Sequence, residues 1–236
     1  MRKYLFKVVV LLMIIIYSSL DGQVFYREDF TGIAHWEALF YSNIPDHSNY
    51  TIVTKPNQGS YLKAVADHSA SALVLKKKFN VFKYPVLRWR WKIEHVIPGG
   101  NAKAKTGDDY PLRIYVLFQY DENESGILES TLFNSLKLLY RESPPHSSLV
   151  YIWANQEFRE DILPSPYTRR EEMILVEKGV SRTGEWVEET VNILNDYQRA
   201  FGEKPPRMAS LAIMSDTDDT GSVARAWLDY LEITKQ

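Results

Sequence analysis

Along most of the chain apolar and polar side chains alternate with a period of two, the pattern of strands that bury one face. It recurs at Val24–Phe30, Trp36–Tyr41, Tyr50–Val53, Tyr61–Ala66, Ala72–Lys77, Val86–Ile97, Leu112–Gln119, Leu149–Asn155, Met173–Glu177, Ala209–Met214 and Ala226–Ile233. Turn formers such as Pro56-Asn57-Gln58-Gly59 and Pro98-Gly99-Gly100 separate the runs. Short strands at this spacing need a second apolar layer against their inner faces. The pattern therefore predicts a mainly β fold, a two-sheet β-sandwich of jelly-roll, concanavalin-like or galactose-binding-like type.

Two stretches change period. In Leu128–Tyr140 the residues Leu128, Leu132, Phe133, Leu136, Leu139 and Tyr140 recur at helical spacing, and in Glu188–Phe201 the residues Val191, Leu194, Tyr197 and Phe201 do the same. Gly202 and then Pro205-Pro206 supply stop signals for the second. Both are expected as peripheral helices that cover an end or an edge of the sandwich.

The first residues follow a different logic. Met1-Arg2-Lys3, an apolar run from Leu5 to Tyr17 and then Ser18-Ser19-Leu20-Asp21-Gly22 read as a secretory signal peptide over residues 1–22. The run is shorter than the roughly 20 apolar residues that a bilayer span needs, so no membrane span is expected after cleavage. No repeat or Gly/Ser linker divides residues 23–236, which are expected to form one β-sandwich domain. The expected location is the bacterial periplasm or the medium. Export brings no disulfides, because the chain has no Cys; stability must come from packing, and thiolate chemistry and Cys-held zinc or iron–sulfur centres are excluded. A formal net charge of −2 gives no global basic field, so nucleic acid is not an expected partner. Nothing in the sequence sets an oligomeric state.

Candidate chemistry lies in a few segments. In Leu87-Arg88-Trp89-Arg90-Trp91-Lys92-Ile93 a strand sends Trp89 and Trp91 to one face and Arg88, Arg90 and Lys92 to the other. Three cations on one strand face call for carboxylates opposite or an anionic ligand. In Lys105-Thr106-Gly107-Asp108-Asp109-Tyr110 a polar loop with paired acids enters a strand that carries Arg113 and Tyr115 on one face. Adjacent carboxylates can act as acid and base, hold a hard cation or pair with Lys and Arg. Asn155 ends the Leu149–Asn155 strand, where its amide is expected at the mouth of a site. Ser215-Asp216-Thr217-Asp218-Asp219-Thr220-Gly221 resembles the start of a calcium loop, with Asp216 and Asp218 as metal candidates beside Asp219, but Trp227 stands where an EF-hand requires Glu. The EF-hand is rejected, and calcium stays a candidate cofactor of a sandwich-type site only.

The five His show no paired spacing, and no G-x-S-x-G elbow, Walker loop or dinucleotide fingerprint appears. Carboxylates, cations and aromatics are what is available, a set suited to bonding sugar hydroxyls and stacking on pyranose rings. The W-x-W strand, the run from Lys105 to Tyr115, Tyr151-Ile152-Trp153-Ala154-Asn155 and Asp216-Thr217-Asp218-Asp219-Thr220-Gly221 together resemble a bacterial family of exported proteins described as domain of unknown function 3047. The resemblance implies an exported protein and a sandwich like those of lectins and carbohydrate-binding modules, and it implies no activity. The expected function is binding of a glycan or another polar or anionic ligand in one groove lined by Arg88, Arg90, Lys92, Lys105, Asp108, Asp109, Arg113, Tyr115, Asn155, Asp216, Asp218 and Asp219. An alternative is a polysaccharide hydrolase using Asp108, Asp109 or Asp216, or a lyase using the cations. A second alternative is an envelope protein that binds another protein. Binding is preferred to catalysis.

Overall fold

The computed structural model describes residues 23–56, 59–120 and 145–235. The expected signal peptide and the helix expected at Leu128–Tyr140 lie outside them. Two sheets stack face to face. The first has six strands in the order β12 (Val187–Asn192), β7 (Val86–Ile93), β14 (Val223–Thr234), β4 (Gly59–Asp67) and β3 (Asn49–Lys55), with β1 (Val24–Glu28) also on β14. The twelve-residue β14 has β7 along one side, and on the other it meets β4 with its first half and β1 with its last residues.

The second sheet has eight strands in the order β10 (Ile162–Pro164), β11 (Glu171–Lys178), β9 (Ser147–Ala154), β8 (Arg113–Phe118), β13 (Met208–Asp216), β5 (Ala70–Leu75) and β2 (Trp36–Leu39), with β6 (Phe79–Asn80) also on β13. All its pairs are antiparallel except β9 with β11. Each expected strand is present. The sequence reading missed β6, β10 and β12, and β12 corrects it: residues 188–192 are strand, not the start of a helix. Val187, Glu189 and Val191 alternate inward there, and the helix α1 (Ile193–Phe201) begins only where Asn192 caps it, its Oδ1 accepting the Leu194 and Asn195 N–H groups. Gly202 ends α1 in the left-handed conformation, φ +75°. Among the described residues no helix is long and apolar enough to cross a membrane.

One core cluster joins the sheets. Trp89 and Trp91 of β7 meet Tyr151 and Trp153 of β9, with ring centroids 5.3 Å apart for Trp89–Tyr151 and 5.8 Å for Trp91–Trp153. Aromatic pairs of this kind add about 0.5–1.5 kcal/mol each beyond the area they bury. Around them Leu87, Ile93, Ile114, Val116, Phe118, Leu211 and Ile213 fill the layer, and α1 closes one end with Ile193 and Tyr197. Trp186 and Trp227 are half-buried on the outer face of the six-stranded sheet, where Lys92 Nζ lies 5.2 Å from the first ring and 4.4 Å from the second.

The edge strand β12 carries one acid inward. Glu189 accepts a hydrogen bond from Trp91 Nε1 at 3.3 Å, and its carboxyl is pushed up to about 7, chiefly by burial and then by the charge of Glu177, against a smaller opposing pull from Arg182. An inward charge on an edge strand guards against pairing with another chain. Because the folded-state value lies above the unfolded one, the folded form binds the extra proton between about pH 4.5 and 7, and stability falls as pH rises through that window. Glu189→Gln keeps an acceptor for Trp91 and removes the titration. Chemical denaturation across pH should show the variant more stable than the parent by on the order of 1–2 kcal/mol at about pH 8 and equal to it at about pH 4.

Candidate functional site

The chain leaves β7 in one sheet and enters β8 in the other, and the connection between them carries the paired acids. Asn155, at the end of β9, clamps this connection: its Oδ1 accepts the Ile97 N–H and its Nδ2 donates to the Asp109 carbonyl, both at 2.7 Å. Gly100 is required beneath it, since a Cβ there would meet Asn155 Nδ2 at 2.2 Å. Gln156 adds a bond to the Gly100 carbonyl at 2.8 Å. A single 3₁₀ turn, Lys105–Gly107, then delivers Asp108 and Asp109. Asn155 is buried with both ends of its amide occupied by backbone, so it positions the loop; the expectation that it lines the site is corrected.

Arg113, the first residue of β8, lies on the outer face of the eight-stranded sheet and is only 5% exposed. Its Nη1 donates to Asp108 at 3.0 Å and its Nη2 to Asp216, the last residue of β13. Asp108 also accepts from the Tyr110 hydroxyl at 3.2 Å, and Asp216 from the Tyr110 N–H at 3.3 Å. Both acids are 2% exposed. Burial raises the carboxyls of Asp108 and Asp216, the latter strongly, against the pull of the Arg113 guanidinium, whose own value burial alone would lower and the acids hold well up. One cation thus faces two buried carboxylates. Arg113 Nε has no acceptor among the described residues.

Asp109, fully buried, turns away and ties this loop to the one after β13: it accepts the Asp219 N–H at 3.3 Å and the Thr220 N–H and hydroxyl at 2.6 Å each. Asp109, Asp216 and Asp218 each bring a carboxylate oxygen within 4.8 Å of the others. These are the residues that a hard cation would use. Asp216 already has the Arg113 charge and Asp109 three N–H or O–H donors, so the ordinary reading of the cluster is as part of the arginine network.

Above Arg113 opens a pocket of about 440 Å³, within the roughly 300–1,000 Å³ range of small-ligand sites. Arg113, Tyr115, Met214 and Asp216 form its sheet floor; Asp108, Asp218 and Asp219 bound it on one side, and Tyr41, Asn43, Ile44, Tyr167, Thr168 and Glu171 come from the segments after β2 and around the start of β11. The hydroxyls of Tyr41 and Tyr115 lie 3.2 and 3.7 Å from Met214 Sδ, and that of Tyr167 bonds the Asp219 carboxylate. Burial pushes the Tyr41 hydroxyl up to about 12 and that of Tyr115 well up. Lys105 lies at the rim, its Nζ 5.2 Å from the Tyr167 ring.

Arg88, Arg90 and Lys92 are not there. They stand on the outer face of the six-stranded sheet, across the sandwich, because β7 and β8 belong to different sheets and turn their outer faces in opposite directions. Arg90 pairs with Asp229 at 3.0 Å and Arg88 lies 3.9 Å from Glu232, both carboxylates on the adjacent β14, while Lys92 rests on Trp186 and Trp227. Neighbouring acids and indoles answer the repulsion that called for an anionic ligand. The single groove expected from sequence is thereby divided: Asp108, Arg113, Tyr115, Asp216, Asp218 and Asp219 come together in the pocket, Lys105 flanks it, Asp109 and Asn155 lie behind it, and the β7 cations lie elsewhere. Tyr41, Asn43, Ile44, Tyr167, Thr168, Glu171 and Met214 went unmarked in the sequence. Only Tyr167 carried a local signal, the turn formers Pro164-Ser165-Pro166 before it.

Residues 34–232 match the family described as "Protein of unknown function (DUF3047)", and the chain belongs to that family. No curated protein matches the sequence. Among solved structures, the family 11 carbohydrate-binding module of the cellulosomal cellulase Lic26A-Cel5E of Clostridium thermocellum is 11% identical with a TM-score of 0.46, covering 93% of this chain and 97% of that one. The cellulose induced protein Cip1 is 10% identical with a TM-score of 0.44, covering 89% and 97%. The family GH12 endoglucanase 3 of Trichoderma harzianum is 8% identical with a TM-score of 0.42, covering 87% and 100%. Likenesses this distant bear on neither ligand nor activity.

Replacing Arg113 tests the network directly. Arg113→Met leaves two buried carboxylates without their cation and should cost about 3–5 kcal/mol of stability near neutral pH. Both carboxyls are already raised in the fold, so in the variant the folded form takes up protons more readily than the unfolded one. Denaturation midpoints should therefore approach those of the parent on acidification to about pH 4, and a gap that stays constant with pH would contradict the assignment.

Proposed function

We propose that the chain binds a polyhydroxylated ligand, a glycan, in the pocket on the outer face of the eight-stranded sheet. The observation that carries this reading is the lining itself: three tyrosines with Ile44 and Met214 offer ring and apolar surface, and five carboxylates with Asn43 and Thr168 offer acceptors and donors at the wall. Sugar hydroxyls are donors that carboxylates accept well, and C–H faces of a sugar ring pack on aromatic and apolar side chains. The sheet holds the floor rigidly, and short loops add the wall, the arrangement in which binding groups are positioned by a scaffold. Uronate recognition and the lyase reading lose support, since the one lining cation is already bonded to two carboxylates.

A hydrolytic reading rests on one observation: carboxyls of unlike environment, buried Asp108, half-buried Glu171 and exposed Asp218, share the pocket. Export to the periplasm or medium fits either reading and belongs to the proposal.

Calorimetric or glycan-array screening of the folded chain should find an oligosaccharide whose Kd rises at least tenfold on Tyr167→Ala and on Asp218→Ala, and is unchanged by Arg88→Ala on the opposite face. Binding that ignores both pocket variants would remove the proposal. Release of reducing ends from that oligosaccharide, lost in Asp108→Asn, would convert the binder into a hydrolase.

A further inference from the structure

The pocket's charge is lopsided. Asp108, Glu171, Asp216, Asp218 and Asp219 line it against the single guanidinium of Arg113, and that guanidinium spends two of its nitrogens on Asp108 and Asp216. One cation cannot neutralise both buried acids and has nothing left for the rim. Lys105, the next nearest cation, has its ammonium over the Tyr167 ring outside the lining. Glu171 has one neutral partner, the Ser148 hydroxyl at 3.0 Å, and Asp219 another, the Tyr167 hydroxyl. No salt bridge reaches Glu171, Asp218 or Asp219 among the described residues.

A second observation points to a ligand rather than to a merely acidic surface. Arg113 lines the cavity, is nineteen-twentieths buried and keeps its Nε–H without an acceptor among the described residues. A buried unpaired donor is costly unless something supplies the acceptor. The occupant that best complements such a cavity brings hydroxyl oxygens to its floor and positive charge to its rim. The tyrosines add to this preference, since aromatic rings attract a desolvated cation.

Resting on the glycan reading above, we infer that the pocket's ligand is an amino sugar with a free, protonated amine, as in oligomers of glucosamine, with the ammonium at the rim by Glu171, Asp218 and Asp219 and ring hydroxyls toward Arg113. An N-acetylated sugar has no charge to offer there, and a uronate meets five like charges. A bare amine, such as a lysine side chain, brings the charge but no hydroxyl for the floor.

Calorimetry on the full chain at about pH 6, where a sugar amine is protonated, tests this with five probes: glucosamine trimer, N-acetylglucosamine trimer, cellotriose, a trigalacturonate and trilysine. The expected order places the glucosamine trimer at least tenfold tighter than the N-acetylated trimer and cellotriose, with no binding of trigalacturonate. The margin should fall at least fivefold in Asp218→Asn and in Asp219→Asn, and shrink in raised salt. If cellotriose or the N-acetylated trimer binds as tightly as the amine, and Tyr167→Ala weakens it, the amine preference is wrong while the glycan reading stands. Trilysine binding as tightly as the glucosamine trimer overturns the sugar component and with it the glycan reading. No binding of any oligosaccharide probe overturns both.

Discussion

A guanidinium buried between two carboxylates is the contact on which the site depends. Arg113 starts a strand, Asp216 ends the neighbouring one and Asp108 comes from the connection between the sheets, so a single side chain pins three segments at one end of the eight-stranded sheet. Such a contact is a poor source of net stability, since desolvating three ionised groups offsets most of the attraction between them. Its effect is positional. It fixes where the floor of the pocket begins and, by leaving one carboxylate in excess, gives the cavity its sign. The bonds from Asp109 to Thr220 and from Asn155 to the Asp109 carbonyl extend the same constraint to the loops on either side.

The two outer faces of the sandwich have opposite electrostatic designs. On the six-stranded side, cations alternate with acids of the next strand and rest on indole rings, so charge is answered locally. On the eight-stranded side, acids converge around a hollow and are answered only in part. A surface that cancels its own charge needs no partner, whereas one that does not is completed by something brought to it. This difference makes the second face the candidate site, although a count of charges along the sequence drew attention to the first.

The fold was legible because period-two alternation is local and marks strands such as β4 and β7, while β9 and β13, buried on both faces, show instead as apolar runs. The short β6 and β10 carry too few residues to show it, and β12 was hidden by the apolar spacing of the helix that follows. Of the site, the pieces with unusual local composition were visible: Asp108-Asp109, Arg113, Asp216 to Asp219. The remaining wall was not, because Tyr41, Tyr167 and Glu171 are ordinary residues made significant by pairings across long stretches of chain. The parallel register of β9 and β11, which brings Glu171 beside Ser148, leaves no mark in either strand. Nor does a sequence say which sheet a strand joins, and assigning β7 and β8 to one surface produced the groove that the structure divides.

The placement of β14 reaches beyond the site. This strand, the last in chain order among the described residues, runs between β7 on one side and β4 and β1 on the other, so it is the keystone of its sheet. A nascent chain that has emerged only through β13 can assemble much of one layer but has nothing to hold the other together. Its tryptophans stay wet until the closing segment threads in. Folding should then be late and concerted rather than vectorial, governed by contacts of large sequence separation and correspondingly slow.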